Sequence, residues 1–197
     1  MKALGASIVV AILVAAAYLG YQALSASGSA GQAATATQTP TQTAKNAASF
    51  DQKVASLITQ AKSGSNQPIT IELTQDEVTA KVAEVLSAGS VAGQPVKDVA
   101  VRMEQGNAVV TGVTSLGGRD VPIEAEVKMG VNGGLLEVDV TSIKAAGLPV
   151  PDPVRQQILQ MAESAMGGRD SSRLDVGIDL KQVRLVDGKI IVEGQTR

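Results

Sequence analysis

The chain has 197 residues, of which 44% are hydrophobic and 18% are charged, and its formal net charge is −2. It contains no His and no Cys, which excludes disulfide bonds, Ser–His–Asp triads, Cys–His pairs and zinc sites built on His. Aromatic residues make up 2% of the chain and none follows Phe50, which argues against aromatic platforms for sugars. No basic stripe is present to contact phosphates, so we do not expect nucleic-acid binding. We therefore expect a binding protein without a cofactor, and not an enzyme.

The first part of the chain is an apolar segment. Residues 3–24 carry no charge, and about 20 apolar residues are enough to cross the hydrocarbon core of a bilayer. Lys2 favours a cytoplasmic N-terminus, and Tyr18 and Tyr21 fall at the outer end, where aromatic rings prefer the interface. We predict a single-pass anchor in the cell membrane. A cleaved secretory signal stays open as the alternative because small residues follow at 25–28, although such signals have apolar regions of only about 7–15 residues.

Composition divides the chain into three parts: a transmembrane signal-anchor at 1–24, a linker at 25–48 and an extracytoplasmic domain at 49–197. The linker is rich in Ala, Thr, Gln and Ser, a composition that is typical of disorder, and it would reach about 25–30 Å as a flexible coil. Ser49 and Gln52 have the spacing of a capping box, which predicts that a first helix begins there.

The first half of the domain combines helical and strand patterns. A short strand is predicted at 69–73, and Thr74 with Glu77 forms a second capping box before a helix that ends near residue 88. Alternating apolar and charged residues then predict four strands. Pro122 lacks an N–H, so its strand should have a free edge or a bulge there. The four strands cover residues 99–104, 108–116, 121–129 and 136–141.

The second half begins where the alternation stops, at residues 143–153. Asp152 and Pro153 are suited to the start of a further helix. Asp187 and Gly188 predict a two-residue hairpin turn near the end of the chain. These elements predict an α+β fold in which a mostly antiparallel meander sheet packs on two or three helices. The last strands are predicted at 174–180, 183–186 and 189–192.

Four segments carry a family resemblance: Ile-Thr-Ile-Glu-Leu-Thr-Gln-Asp-Glu-Val from residue 69, Leu-Gly-Gly-Arg-Asp-Val-Pro-Ile from 116, Asn-Gly-Gly-Leu-Leu-Glu-Val-Asp-Val-Thr-Ser-Ile from 132, and Gly-Leu-Pro-Val-Pro from 147. Over residues 66–194 the chain resembles the YpmS-type bacterial membrane-anchored proteins, which are similar to tubular lipid-binding (TULIP/BPI-like) domains. The resemblance implies a curved antiparallel sheet that wraps a long helix around an apolar groove. It also implies lipid binding at the cell envelope, without catalytic residues.

The apolar faces of these elements are the candidate ligand site. Side chains at strand and helix spacing could line a groove, or they could simply form the core. Carboxylates at 124, 126, 137 and 139 could bind calcium, but a solvated outer strand face is the favoured interpretation, so no metal site is predicted. The candidate groove residues are Val78, Val82, Leu86, Val121, Ile123, Val127, Met129, Leu136, Val138, Val140, Leu148, Val150, Ile158 and Met161.

Two functions follow from these predictions. The first is a membrane-anchored extracytoplasmic domain that binds a lipid or another hydrophobic ligand without covalent chemistry. The alternative is a structural or assembly module that binds another cell-envelope protein through a sheet edge or through the Pro-rich loop at 148–151.

Overall fold

The computed structural model describes the chain from residue 40 onward, with gaps. The described residues are 40–61, 66–88, 96–104, 106–116, 118–150, 152, 156, 173–174, 178–186 and 188–197. The predicted anchor at 1–24 and most of the helix predicted after Pro153 therefore lie outside the described residues. No helix within the described ranges is long and apolar enough to cross a membrane.

The structure defines the bounds of two helices and nine strands, and the described residues Asp152 and Gln156 are also helical. The helices are α1 (Pro40–Ala61) and α2 (Gln75–Ala88). The strands are β1 (Pro68–Thr74), β2 (Val96–Glu104), β3 (Asn107–Leu116), β4 (Arg119–Asn132), β5 (Leu135–Ala145), β6 (Leu148–Pro149), β7 (Arg173–Leu174), β8 (Ile178–Val186) and β9 (Lys189–Thr196).

Helix α1 begins nine residues earlier than the sequence predicted. Pro40 stands at its first position, where the missing N–H costs nothing, and Ala, Gln and Lys in the next turns are good helix formers. Ala47 and Phe50 are buried, so this part of the helix packs on the domain. The predicted disordered linker is therefore wrong for residues 40–48, and Ser49 lies inside the helix and does not cap it.

Strand β1 and helix α2 confirm the sequence prediction. The N–H of Thr74 donates to Oε2 of Glu77 at 2.8 Å, and the N–H of Glu77 donates to Oγ1 of Thr74 at 3.3 Å, which is the reciprocal pattern of a capping box. The apolar stripe of α2 turns inward as its spacing predicts. Its buried members are Val78, Val82 and Leu86.

Strands β2 to β6 form one antiparallel sheet in chain order, and β7 pairs with β5. The predicted end of the alternation at Ile143 is wrong, because β5 continues to Ala145. A bulge beside Glu126 adds one residue to β5. The buried residues of β5 are therefore Val138 and Val140 before the bulge and Ile143 and Ala145 after it, so the alternation continues with a shift of one residue. Pro122 lies one residue before the β4–β5 ladder begins, and its carbonyl accepts from the N–H of Ala146 at 2.8 Å.

A second, three-stranded sheet has the order β1–β9–β8. The terminal hairpin confirms the predicted turn, because Val186 pairs with Lys189 and Gly188 has a positive φ of 74°. β1 pairs with β9, the last strand of the chain, so the strands form two sheets and not the single meander that was predicted. The N–H of Leu180 donates to the carbonyl of Gly134 at 3.0 Å, which joins β8 to the β4–β5 turn of the large sheet. The fold class is α+β with antiparallel sheets.

Candidate functional site

One face of the large sheet is apolar across strands β2 to β5. The register places Val101 opposite Val110, Val110 opposite Ala125, and Ala125 opposite Ile143, so these side chains all project to the same side. Because strand side chains alternate between faces, every second residue along each of these strands projects to the same side. The face thus contains most of the strand residues that the sequence identified as groove lining.

Helix α2 covers the half of this face that lies toward β2. Val78, Val82 and Leu86 form a core cluster with side chains of β2, β3 and β4, including Ile123 and Ala125. All of these side chains are buried and contact one another rather than solvent. The four predicted groove residues in this cluster (Val78, Val82, Leu86 and Ile123) are therefore core residues in the structure.

The other half of the face lies on β4 and β5, and we call it the β4–β5 apolar face. Its six side chains are all aliphatic and buried, yet none belongs to the cluster formed with α2. Met129 lies at the border, where it is partly buried and packs against that cluster. The β4–β5 apolar face consists of Val121, Val127, Val138, Val140, Ile143 and Ala145.

The remaining predicted residues are dispersed. Leu136 packs in a second cluster with Ile178 and Leu180 of the small sheet. Val150 is buried, and its N–H donates to the carbonyl of Ile143 at 2.9 Å, whereas Leu148 is 55% exposed. Ile158 and Met161 lie outside the described residues.

One polar side chain stands on the apolar side of the sheet. Thr114 of β3 is 1% exposed and lies opposite Val96 on β2 and Val121 on β4. Of the buried side chains in the described residues, its Oγ1 is the polar atom without a hydrogen-bond partner. Thr114 was not among the predicted site residues, although its spacing from Val110 on the same strand places it on the apolar face.

A buried carboxylate joins α1, β1 and α2. Oε1 of Glu77 accepts from Oγ of Ser49 at 2.5 Å, and Oε2 accepts from Nζ of Lys53 and from the N–H of Thr74, both at 2.8 Å. Nζ of Lys53 also donates to the carbonyl of Glu72 at 2.8 Å.

The protonation state of this carboxylate follows from its partners. Burial alone would raise the pKa of Glu77, but the hydrogen bonds from Lys53, Ser49 and Thr74 and the charge of Lys53 outweigh it. Together they lower the pKa from 4.5 to about 2. Glu77 is therefore ionised at neutral pH and fully engaged by its partners, so it stabilises the packing of α1 and is not suited to be a general base.

The opposite face of the large sheet is mostly polar, although it includes the buried Val109. Nζ of Lys144 donates to Glu124 directly across the β4–β5 ladder at 2.7 Å, and the amide of Asn107 donates to Glu126 at 2.9 Å. The hydrogen bond with Glu124 is the main cause of the raised pKa of Lys144. Within the part of the chain that the structure describes, no three acidic side chains are grouped so that they could hold a metal ion.

Comparison with known proteins found no similar one: no protein-family model, no curated protein and no solved structure matches the chain.

Proposed function

We propose that the protein is a single-pass membrane protein whose extracytoplasmic domain binds a lipid or a similar acyl chain without covalent chemistry. The observation that carries the proposal is the β4–β5 apolar face, whose six aliphatic side chains lie outside the core cluster that α2 forms. These side chains are only 3–6% exposed, so a ligand would have to displace the atoms that cover them. The ligand would lie along β4 and β5, against Val127, Val138 and Val140. The sequence resemblance to tubular lipid-binding domains supports the same ligand class.

Transfer of an acyl chain out of water supplies the main favourable energy for such binding. Burial of one methylene contributes about 0.8 kcal/mol, so about ten methylenes contribute about 8 kcal/mol. That corresponds to a micromolar dissociation constant before the entropic cost of binding is subtracted. A longer acyl chain contributes proportionally more. The predicted anchor would keep the domain close to a large supply of such chains.

The proposal can be tested on the full chain after its purification from membranes. A protease site placed before Pro40 would release the domain without unfolding it, and lipids that surround the anchor would stay behind. Native mass spectrometry of the released domain should then find a bound species with the mass of a lipid or fatty acyl chain. A domain of protein mass alone, still folded by circular dichroism, would contradict the proposal.

A matched pair of substitutions locates the ligand. Ala145 lies on the β4–β5 apolar face, and Ala125 lies in the cluster with α2. If a ligand occupies the β4–β5 apolar face, the larger side chain of Ala145→Leu should take part of the ligand's space and reduce the amount of bound lipid. The stability of the domain should then stay nearly unchanged. Ala125→Leu should instead overpack a closed core and destabilise it by about 1–3 kcal/mol. Equal destabilisation by both substitutions would show that both halves of the face are closed core.

A second candidate function is supported by Leu148. It is the large hydrophobic side chain that remains exposed among the described residues, and it lies on β6, an edge strand of the large sheet. An envelope protein could dock there. A photo-crosslinking residue at position 148 in living cells should then yield one protein adduct that the same residue at the exposed position 119 does not yield. Identical patterns at both positions would contradict this function.

A further inference from the structure

We propose that the hydroxyl of Thr114 is the polar anchor of the ligand site and that the ligand is an acyl or alkyl chain carrying an uncharged oxygen, such as an ester or a hydroxyl. This inference rests on the proposed function and adds to it the chemistry of the group that the ligand presents to the protein.

The first observation is the cost of an unpaired hydroxyl. Burial of a hydroxyl without a hydrogen bond is unfavourable, because in the unfolded chain the same group is bonded to water. The domain satisfies its other buried polar side chains in the described residues. Oγ1 of Thr196, also 1% exposed, accepts from the N–H of Gln67 at 2.8 Å, and Glu77 accepts three hydrogen bonds. Thr114 is the exception among these buried groups.

The second observation is the position of this hydroxyl. The register puts Thr114 directly opposite Val121, which is the first residue of the β4–β5 apolar face. On its other side it faces Val96, so both cross-strand neighbours are aliphatic and neither can pair with the hydroxyl. Thr114 and these two neighbours are at most 5% exposed, so a ligand would have to displace the atoms that cover them. A ligand that did so along the β4–β5 apolar face would pass next to this hydroxyl at one end.

The position also restricts the ligand chemistry. No charged side chain of the described residues bonds to Thr114, and its nearest neighbours across the ladder are apolar. A buried carboxylate would stay uncompensated there, whereas an uncharged oxygen can accept or donate one hydrogen bond with Oγ1. The anchor should thus favour an ester or an alcohol over a pure hydrocarbon.

The test uses Thr114→Val, which removes the hydroxyl and keeps the shape of the side chain. The matched control is Thr111→Val on the opposite face of β3, where the hydroxyl bonds to the carbonyl of Ala100 at 3.5 Å. The full chain is purified, the domain is released before Pro40, and N-phenyl-1-naphthylamine, a hydrophobic probe without oxygen, reports on occupancy. Decan-1-ol and undecane, which differ by a hydroxyl in place of a methyl, compete with the probe.

The expected result is a change in the preference between the two competitors. Thr114→Val should bind the probe and undecane as the native domain does, but should bind decan-1-ol about 3- to 10-fold more weakly, which is the range for one hydrogen bond. Thr111→Val should leave both affinities unchanged. Without any ligand, Thr114→Val should also unfold at a higher temperature than the native domain.

Three results would overturn the proposal, and they have different meanings. An unchanged preference for decan-1-ol in Thr114→Val would show that a ligand binds but does not use this hydroxyl. A lower unfolding temperature of ligand-free Thr114→Val would show that the hydroxyl already has a partner inside the domain. If the native domain binds neither the probe nor the competitors, the proposed function itself fails, and the anchor fails with it.

Discussion

Substitution of Glu77 by Gln should destabilise the domain strongly although it changes only one atom of the side chain. The side chain of Glu77 is 8% exposed, and it receives hydrogen bonds from Ser49, Lys53 and Thr74. The neutral amide keeps the shape but loses the negative charge that these donors favour. Ser49 and Lys53 belong to α1, and Thr74 is the last residue of β1. Loss of the negative charge therefore weakens the contact of α1 with the rest of the domain.

The magnitude follows from the pKa of this carboxyl. A decrease from 4.5 to about 2 corresponds to about 3 kcal/mol of stability at neutral pH. Lys53 contributes only part of this, since its side chain is 36% exposed and water screens its charge. We therefore expect Glu77→Gln to cost about 2–3 kcal/mol and Lys53→Met about 1 kcal/mol. The double variant should cost less than the sum of both, because the two side chains share one interaction.

The pH dependence has a defined sign. The pKa of Glu77 is lower in the folded than in the unfolded chain, so its contribution is complete above about pH 4.5 and is lost as the pH falls toward about 2. The difference in stability between the native domain and Glu77→Gln should thus be constant from about pH 5 to 8 and should shrink below about pH 4.5.

Urea denaturation followed by circular dichroism at several pH values measures this difference. A difference in unfolding free energy of less than about 0.5 kcal/mol between the native domain and Glu77→Gln at pH 7 would contradict the role assigned to Glu77. A gap that widens as the pH falls from 5 to 3 would contradict it as well, because the sign of the pKa change would then be opposite.

Further substitutions test the packing of the small sheet. Gly194→Ala should destabilise the domain by about 1–3 kcal/mol in thermal or urea unfolding, because an added Cβ would lie 2.8 Å from the carbonyl oxygen of Asp179. Gly130→Ala, whose added Cβ meets no atom within 4 Å, should be neutral, and an equal loss at both glycines would refute the steric explanation. Thr196→Val should cost about 1–2 kcal/mol by the same measurement, because the N–H of Gln67 loses its acceptor; no loss would show that water replaces the hydroxyl.

Local patterns in the sequence predicted much of the fold. The capping box at Thr74 and Glu77, the apolar stripe from Val78 to Leu86 and the turn before Gly188 depend on residues close together in the chain, and each has the predicted form in the structure. Such features are visible in a sequence because their physical cause acts within a few residues.

Features that depend on distant contacts could not be predicted in this way. The pairing of β1 with β9 joins Ile71 to Val192, and no local pattern in either strand indicates its partner. The first turns of α1 are polar, so composition indicated disorder, and only the packing of Ala47 reveals a helix that belongs to the domain. The bulge beside Glu126 hid the continuation of β5, because an added residue interrupts the alternation by which strands are recognised.

The candidate site was predicted only in part. The strand residues were correctly assigned to one face, but the sequence could not divide that face between the cluster under α2 and the β4–β5 apolar face, because the division depends on where α2 packs. It also gave no reason to single out Thr114, because an unpaired hydroxyl becomes apparent only when its neighbours in space are known.

The most direct measurement of the central proposal is methyl NMR of the released domain, with 13C-labelled Val methyl groups, during titration with decan-1-ol. Binding along β4 and β5 predicts intermolecular contacts to the methyl groups of Val127, Val138 and Val140 and none to those of Val78 and Val82. Contacts to the α2 methyl groups alone, or no contacts at saturating ligand, would contradict the proposal that the β4–β5 apolar face binds an acyl chain.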